Sequence, residues 1–196
     1  MRESQQNTDG TSRAPQREVA RGEYIYHAGE RGKAWRIVAG SVRLDRHEDD
    51  GPAFAGLSLA GDVIGAETLL FGAYTYTAQA LSGCVVEPWG APAERFGESM
   101  LRLLAATEQR MADILALRNG RADQRVGGLL ALLGSAGAVF RLPRLRDIAD
   151  ITGLTIETVS RTLHALDEEG ALEVEGCRQG RRIGGAELAP TRTLRP

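Results

Sequence analysis

Apolar residues recur along the chain in two rhythms, and the change between them divides it. From Val19 to about Val86 they fall in short runs: "EYIYHAGE", "AWRIVAGSVRLDRHEDDG", "AFAGLSLAGDVIG", "YTYTAQAL" and "CVVEPW". Gly22, Gly29, Gly40, Gly51, Gly61 and Gly65 stand at or near the run ends, as turns require. Several short strands at this spacing predict a β-sandwich or barrel over residues 18–90. The preceding stretch 1–17, "MRESQQNTDGTSRAPQR", carries Gly and Pro and no periodic apolar pattern, which predicts a disordered tail.

Near Ala91 the rhythm becomes helical and continues through about Leu133. Met100, Leu104, Thr107, Met111, Ile114 and Arg118 recur with alternating four- and three-residue spacing, a heptad-like seam that Leu101, Leu103 and Leu115 broaden. A helix over 91–121 with this much apolar surface predicts a parallel dimer interface. Packing onto the β domain alone is the alternative. No internal repeat is visible.

Residues 122–196 form a third region, and "DIADITGLTIETVSRTLHALDEEG" at 147–170 carries its pattern. Leu145, Ile148 and Ala149 place apolar groups at i, i+3 and i+4 of a first helix ending at Thr152. Gly153 can take the left-handed conformation past that helix end, and Thr155 can cap the next helix through its hydroxyl. Helix, glycine turn and capped helix predict a helix-turn-helix. On a wheel with Glu157 at zero, Arg161 falls at about +40°, Ser160 at about −60° and His164 at about −20°. Val159, Leu163 and Leu166 gather on the opposite side and give the helix an apolar stripe to bury.

A carboxylate, a hydroxyl and a guanidinium are thereby left facing outward near a helix start. Arg can take guanine O6 and N7, Glu accepts from the cytosine amino group, and Ser is adaptable. Glu157, Ser160 and Arg161 are therefore the candidate base-reading residues, with Thr155, Thr158 and His164 placed for the DNA backbone. The plain alternative is an i, i+4 salt pair of Glu157 and Arg161 on a solvated face.

Beyond Gly170, Leu172 and Val174 alternate with Glu173 and Glu175, a turn follows, and "RRI" returns. This predicts a short β-hairpin with Arg178, Arg181 and Arg182 at or near its tip. Such a basic wing could neutralise phosphates beside the groove; a merely solvated charge cluster is the competing reading. The fold class is thus α+β: a β-sandwich or barrel, a long helix with a dimerisation seam, then a winged helix-turn-helix.

Composition narrows the partners. With 196 residues, 42% hydrophobic, the chain can bury a good core in one or two domains. Its net charge of −2 excludes a generic polyanion binder, so DNA affinity must come from locally placed arginines. Two cysteines, Cys84 and Cys177, are too few for a disulfide framework and fit a reducing cytoplasm. No run approaches 18 uncharged apolar residues and no apolar signal core begins the chain, so a soluble cytoplasmic protein without membrane contact is expected.

The order of these regions resembles the CRP/FNR superfamily of bacterial transcription regulators, over residues from about 18 to 185. "GEYIYHAGE", "AGSVRL" and "GDVIG" match recurring blocks of its cyclic-nucleotide-binding-type jelly roll, and "LRDIADITGLTIETVSRTL" is the most specific match. Carried over residue by residue, the base-reading positions are Glu157, Ser160 and Arg161. Glu-x-x-Ser-Arg is the FNR-type pattern; the cyclic-AMP receptor has Arg-Glu-x-x-x-Arg, and Ile156 replaces its first Arg. "YTAQAL" also looks like the FNR branch. The resemblance implies a homodimer reading an FNR-like palindrome of TTGAT-type half-sites, with RNA polymerase as a further partner. Two-fold-related recognition helices would enter major grooves about 34 Å apart.

Departures from the family pattern matter as well. FNR proper holds a [4Fe-4S] cluster on four cysteines, three near its N-terminus; two thiolates cannot supply that set. The cyclic-nucleotide pocket needs an Arg for the ring phosphate. Glu67 could serve the ribose, but Tyr76 and Thr77 stand where Arg-Ser would be, so no cofactor is expected. The β-roll then either senses something else or is structural.

His27, His47 and His164 are far apart in sequence and imply no metal. Cys177 sits at the wing turn among Arg178, Arg181 and Arg182, which favour its thiolate. Oxidation there would weaken DNA binding, and some cluster-less relatives in the FixK branch are similar in carrying a redox-sensitive cysteine near the DNA. An incidental exposed thiol is the alternative. No cupin-type metal set, Ser/His/Asp set or phosphate loop is present, so an enzyme is not expected. A competing function is a ligand- or redox-sensing module that acts through a protein partner and binds DNA weakly.

Overall fold

The computed structural model describes residues 15–90, 96–134 and 142–170, together with the backbone of two strands at 173–177 and 182–187. The tail read over 1–17 lies largely outside the described residues. Its end is already structured, because β1 (Arg17–Val19) pairs with β8 (Cys84–Pro88). The runs between them form β2 (Tyr24–Tyr26), β3 (Trp35–Ala39), β4 (Ser41–Glu48), β5 (Gly51–Leu59), β6 (Val63–Ile64) and β7 (Thr77–Ala80). A four-residue helix, α1 (Thr68–Phe71), interrupts the strands.

The strands make two four-stranded antiparallel sheets, in the orders β1-β8-β3-β6 and β2-β7-β4-β5. Ile25, Ile37, Val42, Ala78 and Val86 are buried between them, each from the inward phase of a period-two strand. Tyr26 and Tyr74 stack at 3.6 Å between ring centroids inside this core. Gly65 must be glycine here: its φ is +71°, and a Cβ would come within 2.6 Å of the Tyr74 ring.

Strand β4 uses both faces. Val42 points into the roll, while Arg43 and Asp45, two residues apart on the opposite face, are buried as well. Alternation alone predicts a solvated face there, yet the C-terminal helices cover it. Leu57, register partner of Arg43, joins the same cluster as Leu129, Ile148, Ile151 and Val159. One apolar core thus binds the outer face of the roll to the helical part.

The helical rhythm is broken close to the boundary read at 121–122, a few residues earlier than expected. Helix α2 (Phe96–Ala116) stops, Gly120 adopts φ +87°, and α3 (Ala122–Leu133) begins. Helices α4 (Leu145–Thr152) and α5 (Ile156–Glu168) follow, then the antiparallel hairpin of β9 (Glu173–Cys177) and β10 (Arg182–Glu187). Among the described residues no helix is long and apolar enough to cross a membrane.

Candidate nucleic-acid interface

Helices α4 and α5 meet through the positions that the wheel places inward. Ile148, Ile151, Val159 and Leu163 are buried, and Leu166 packs half-buried at the cluster edge. Gly153 takes φ 64°, ψ 36°, and its N–H donates to the Ala149 carbonyl, closing α4 with a left-handed cap. The remaining carbonyls of that helix end are taken by arginines. Arg118 donates to the carbonyls of Asp150 at 2.8 Å and Ile151 at 3.3 Å, and Arg125 donates to that of Thr152. Cations at a helix C-terminus also complement its dipole.

Helix α5 begins with Thr155 in an extended conformation, its hydroxyl accepting the Thr158 N–H at 3.2 Å. The two threonine hydroxyls lie 3.0 Å apart, so both are ordered at the helix start. Glu157, Ser160, Arg161 and His164 are all exposed. Among the described ion pairs none joins Glu157 to Arg161; the Arg161 Nε instead approaches the Glu157 carbonyl at 3.4 Å. Hydrogen bonding to its own backbone N–H, then to Thr155, with Arg161 nearby, holds the Glu157 carboxyl below the usual carboxylate range. It is an anionic acceptor at neutral pH. His164 lies 3.4 Å from Glu168 one turn further along the helix.

The wing is present as a hairpin. Cys177 opposes Arg182 and Ile183 opposes Gly176 at its tip end, with a register shift before Ala186. The expected phosphate contacts Arg178 and Arg181 lie outside the described residues, as do the side chains of Arg182 and Cys177.

The proposed seam on α2 is only partly a free surface. Ile114 packs against the C-terminal core, and Arg118 lies past the helix end, where its guanidinium serves α4. Met100 is half-buried, and Thr107 and Met111 line a cavity. No residue of α2 is buried, and Leu101 (70% exposed), Leu104 (56%), Met111 (58%) and Leu115 (61%) form an apolar stripe on its outer side. Leu101 and Leu115, expected only to broaden the seam, are the most exposed members of that stripe.

The cavity lies between the roll and α2, encloses about 670 Å3, and is bordered by Tyr26, Glu67, Tyr76 and Trp89. Tyr76 borders it where the family's phosphate-binding Arg is expected. Thr77 spends its hydroxyl on the Ala28 N–H, and Glu67, read as a ribose ligand, accepts the Thr75 N–H at 3.1 Å. Arg36, Arg102 and Arg110 border the cavity, and Arg110 is held at 2.9 Å by Asp62. Burial pushes the Tyr26 hydroxyl well above its ordinary range, and the charge of Glu67 adds to this. Cys84 is buried, its thiol raised by burial and donating to the Ser41 carbonyl. No group of three or more His, Cys, Asp or Glu among the described residues could hold a metal; His27 instead lies beside the Tyr24 ring.

A roll of this topology joined to a helix-turn-helix defines a class. Residues 16–103 match the family model of the cyclic nucleotide-binding domain, and residues 109–183 match that of the Crp-like helix-turn-helix domain. The chain is 34% identical over 159 residues to the nitrogen fixation regulation protein FixK of Bradyrhizobium diazoefficiens, covering 71% of this chain and 66% of that protein. It is 27% identical over 177 residues to the fumarate and nitrate reduction regulatory protein of Escherichia coli, covering 81% of this chain and 71% of that one. A CRP-family transcriptional regulator from Thermus thermophilus superimposes with a TM-score of 0.67 at 29% identity, over 88% of this chain and 91% of that chain. The chain belongs to the CRP/FNR superfamily of DNA-binding transcription regulators.

Proposed function

We propose that the protein is a homodimeric, sequence-specific regulator that reads an FNR-like palindrome of TTGAT-type half-sites through α5. One observation carries this reading: Glu157, Ser160 and Arg161 stand exposed together at the start of α5 while Val159 and Leu163 anchor its other side. Exposed carboxylate and guanidinium groups at this place suit direct readout in the major groove. The exposed stripe of Leu101, Leu104, Met111 and Leu115 supports pairing through α2, which would set the two recognition helices about 34 Å apart. RNA polymerase is a further partner on this reading, and the cytoplasm its compartment.

We infer also that no cofactor is required. Two cysteines cannot complete a four-thiolate cluster, and the groups at Glu67, Tyr76 and Thr77 are not those that hold a cyclic phosphate. No catalytic role is proposed.

A mobility shift at fixed, moderate salt tests the reading. The expected result is a complex with two TTGAT-type half-sites centred one helical turn apart, and weaker binding to a scrambled duplex of equal length. Equal affinity for both duplexes would overturn it.

A further inference from the structure

Arg43 is the most enclosed guanidinium of the described residues, 6% exposed, and it bridges two domains. Its Nε donates to Asp45 on its own strand at 2.7 Å. Its Nη1 donates across the interface to Asp150 at 2.7 Å and to Asp147 at 3.2 Å, which share one face of α4 at i and i+3. Beneath it lies the Phe54 ring, 5.7 Å from Arg43 and 5.5 Å from Arg118 on the far side of the junction. Asp150 is therefore gripped twice, at its carboxylate by the roll and at its carbonyl by Arg118.

Three carboxylates around one arginine are an electrostatic arrangement with a single keystone. Burial raises Asp45, and the charges of Asp150 and Asp147 add to the rise. With Arg43 removed, the roll and α4 would present like charges to each other across a partly dry contact. Because α4 packs directly on α5, a change in how α4 meets the roll turns the recognition helix as well. Simple domain adhesion would need only the apolar contacts of Leu57 and Leu81, which the same interface already supplies.

We propose that Arg43, with Asp147 and Asp150, is an interdomain latch that fixes the angle at which α5 is presented, and so sets the half-site spacing that the dimer accepts. Arg43 is a positioning residue; it acts on DNA through α4. The spacing clause rests on the dimeric DNA-binding reading above, whereas the latch does not.

The test uses the full-length protein in a Cys177→Ser background, with spin labels at Glu48→Cys on the roll and Asp167→Cys on α5. Labelled chains are diluted with unlabelled ones so that each pair reports within one chain. Without DNA, the parent should give one narrow distance distribution. Asp150→Asn, which leaves Arg43 with Asp45 and Asp147, and Arg43→Ala should broaden it, and Arg43→Lys should restore it in part. Unchanged distributions in both Asp150→Asn and Arg43→Ala would overturn the latch, and Asp150→Asn decides alone if Arg43→Ala does not fold.

On DNA, the parent's preference for half-sites one turn apart over half-sites set half a turn further should fall about tenfold in Asp150→Asn. Discrimination among bases within a half-site should stay as it is. A retained spacing preference would overturn the specificity role. A parent that binds no DNA would sink the functional reading instead, and the distance measurement would still decide the latch.

Discussion

Glu157 and Arg161 stand one turn apart on α5 and do not pair; the guanidinium approaches the Glu157 carbonyl instead. A solvated helix face would gain a little from closing that ion pair. Both side chains remain outward, exposed on the same face.

The Glu157 carboxyl is held below the usual carboxylate range by its own backbone N–H, then by Thr155, with Arg161 contributing. A depressed folded pKa means that the charged form is favoured at all pH above the unfolded value of about 4.3, and is lost only below it. Discrimination at the base read by Glu157 should therefore be constant from about pH 8 to about pH 5.5. Fluorescence anisotropy on matched and base-substituted duplexes reads this ratio independently of the nearby His164. A decline that starts near neutral pH would contradict the assignment.

Thr155 fixes where α5 begins. Thr155→Ala should cost about 1 kcal/mol of stability through the lost cap, lowering Tm by about 2–4 °C. Thr155→Ser should restore most of it. Calorimetry on the three proteins checks this, and equal Tm values would show that the cap contributes nothing.

Leu104 and Met111 belong to the exposed stripe on α2. Placing glutamate at both should convert the dimer to a monomer in sedimentation equilibrium, because like charges would face each other across the two-fold axis. The monomer should keep its helix content and lose palindrome affinity. A double variant that remains dimeric would move the interface elsewhere.

Cys177 opposes Arg182 at the wing tip. Peroxide should oxidise the Cys177 thiolate to sulfenic acid, releasing hydroxide, and lower operator affinity in a way that added thiol reverses. Cys177→Ser should be resistant, while the buried Cys84 keeps its thiol. Equal loss in parent and variant under peroxide would remove Cys177 from any such control.

Much of this arrangement was legible because it depends on local chemistry. Gly22, Gly29, Gly40, Gly51, Gly61 and Gly65 all carry positive φ, so glycine placement marked real turns. The inward stripe of Val159 and Leu163 and the left-handed Gly153 followed from spacing alone. The apolar rhythm alone runs on to about Leu133, and it places the end of the long helix at 121 where α2 stops at Ala116, although Asn119-Gly120 is a turn dipeptide.

Arg43 and Asp45 could not have been placed from the sequence. Their alternation reads as a solvated strand face, and only docking of α4 buries them. Arg118 fell into the heptad count by spacing, whereas its role comes from carbonyls more than thirty residues away in sequence. Long-range partners of this kind leave no periodic trace.

The central claim concerns which side chains read bases, and a comparison of Arg161→Ala with Arg181→Ala tests it most directly. Affinities are measured across salt concentrations on the parent operator and on operators substituted at the guanine. Arg161→Ala should cost about 1–3 kcal/mol on the parent operator and erase the preference for guanine. Arg181→Ala, at the wing, should weaken all sequences alike and flatten the salt slope. Equal losses on every operator from both variants would contradict the account.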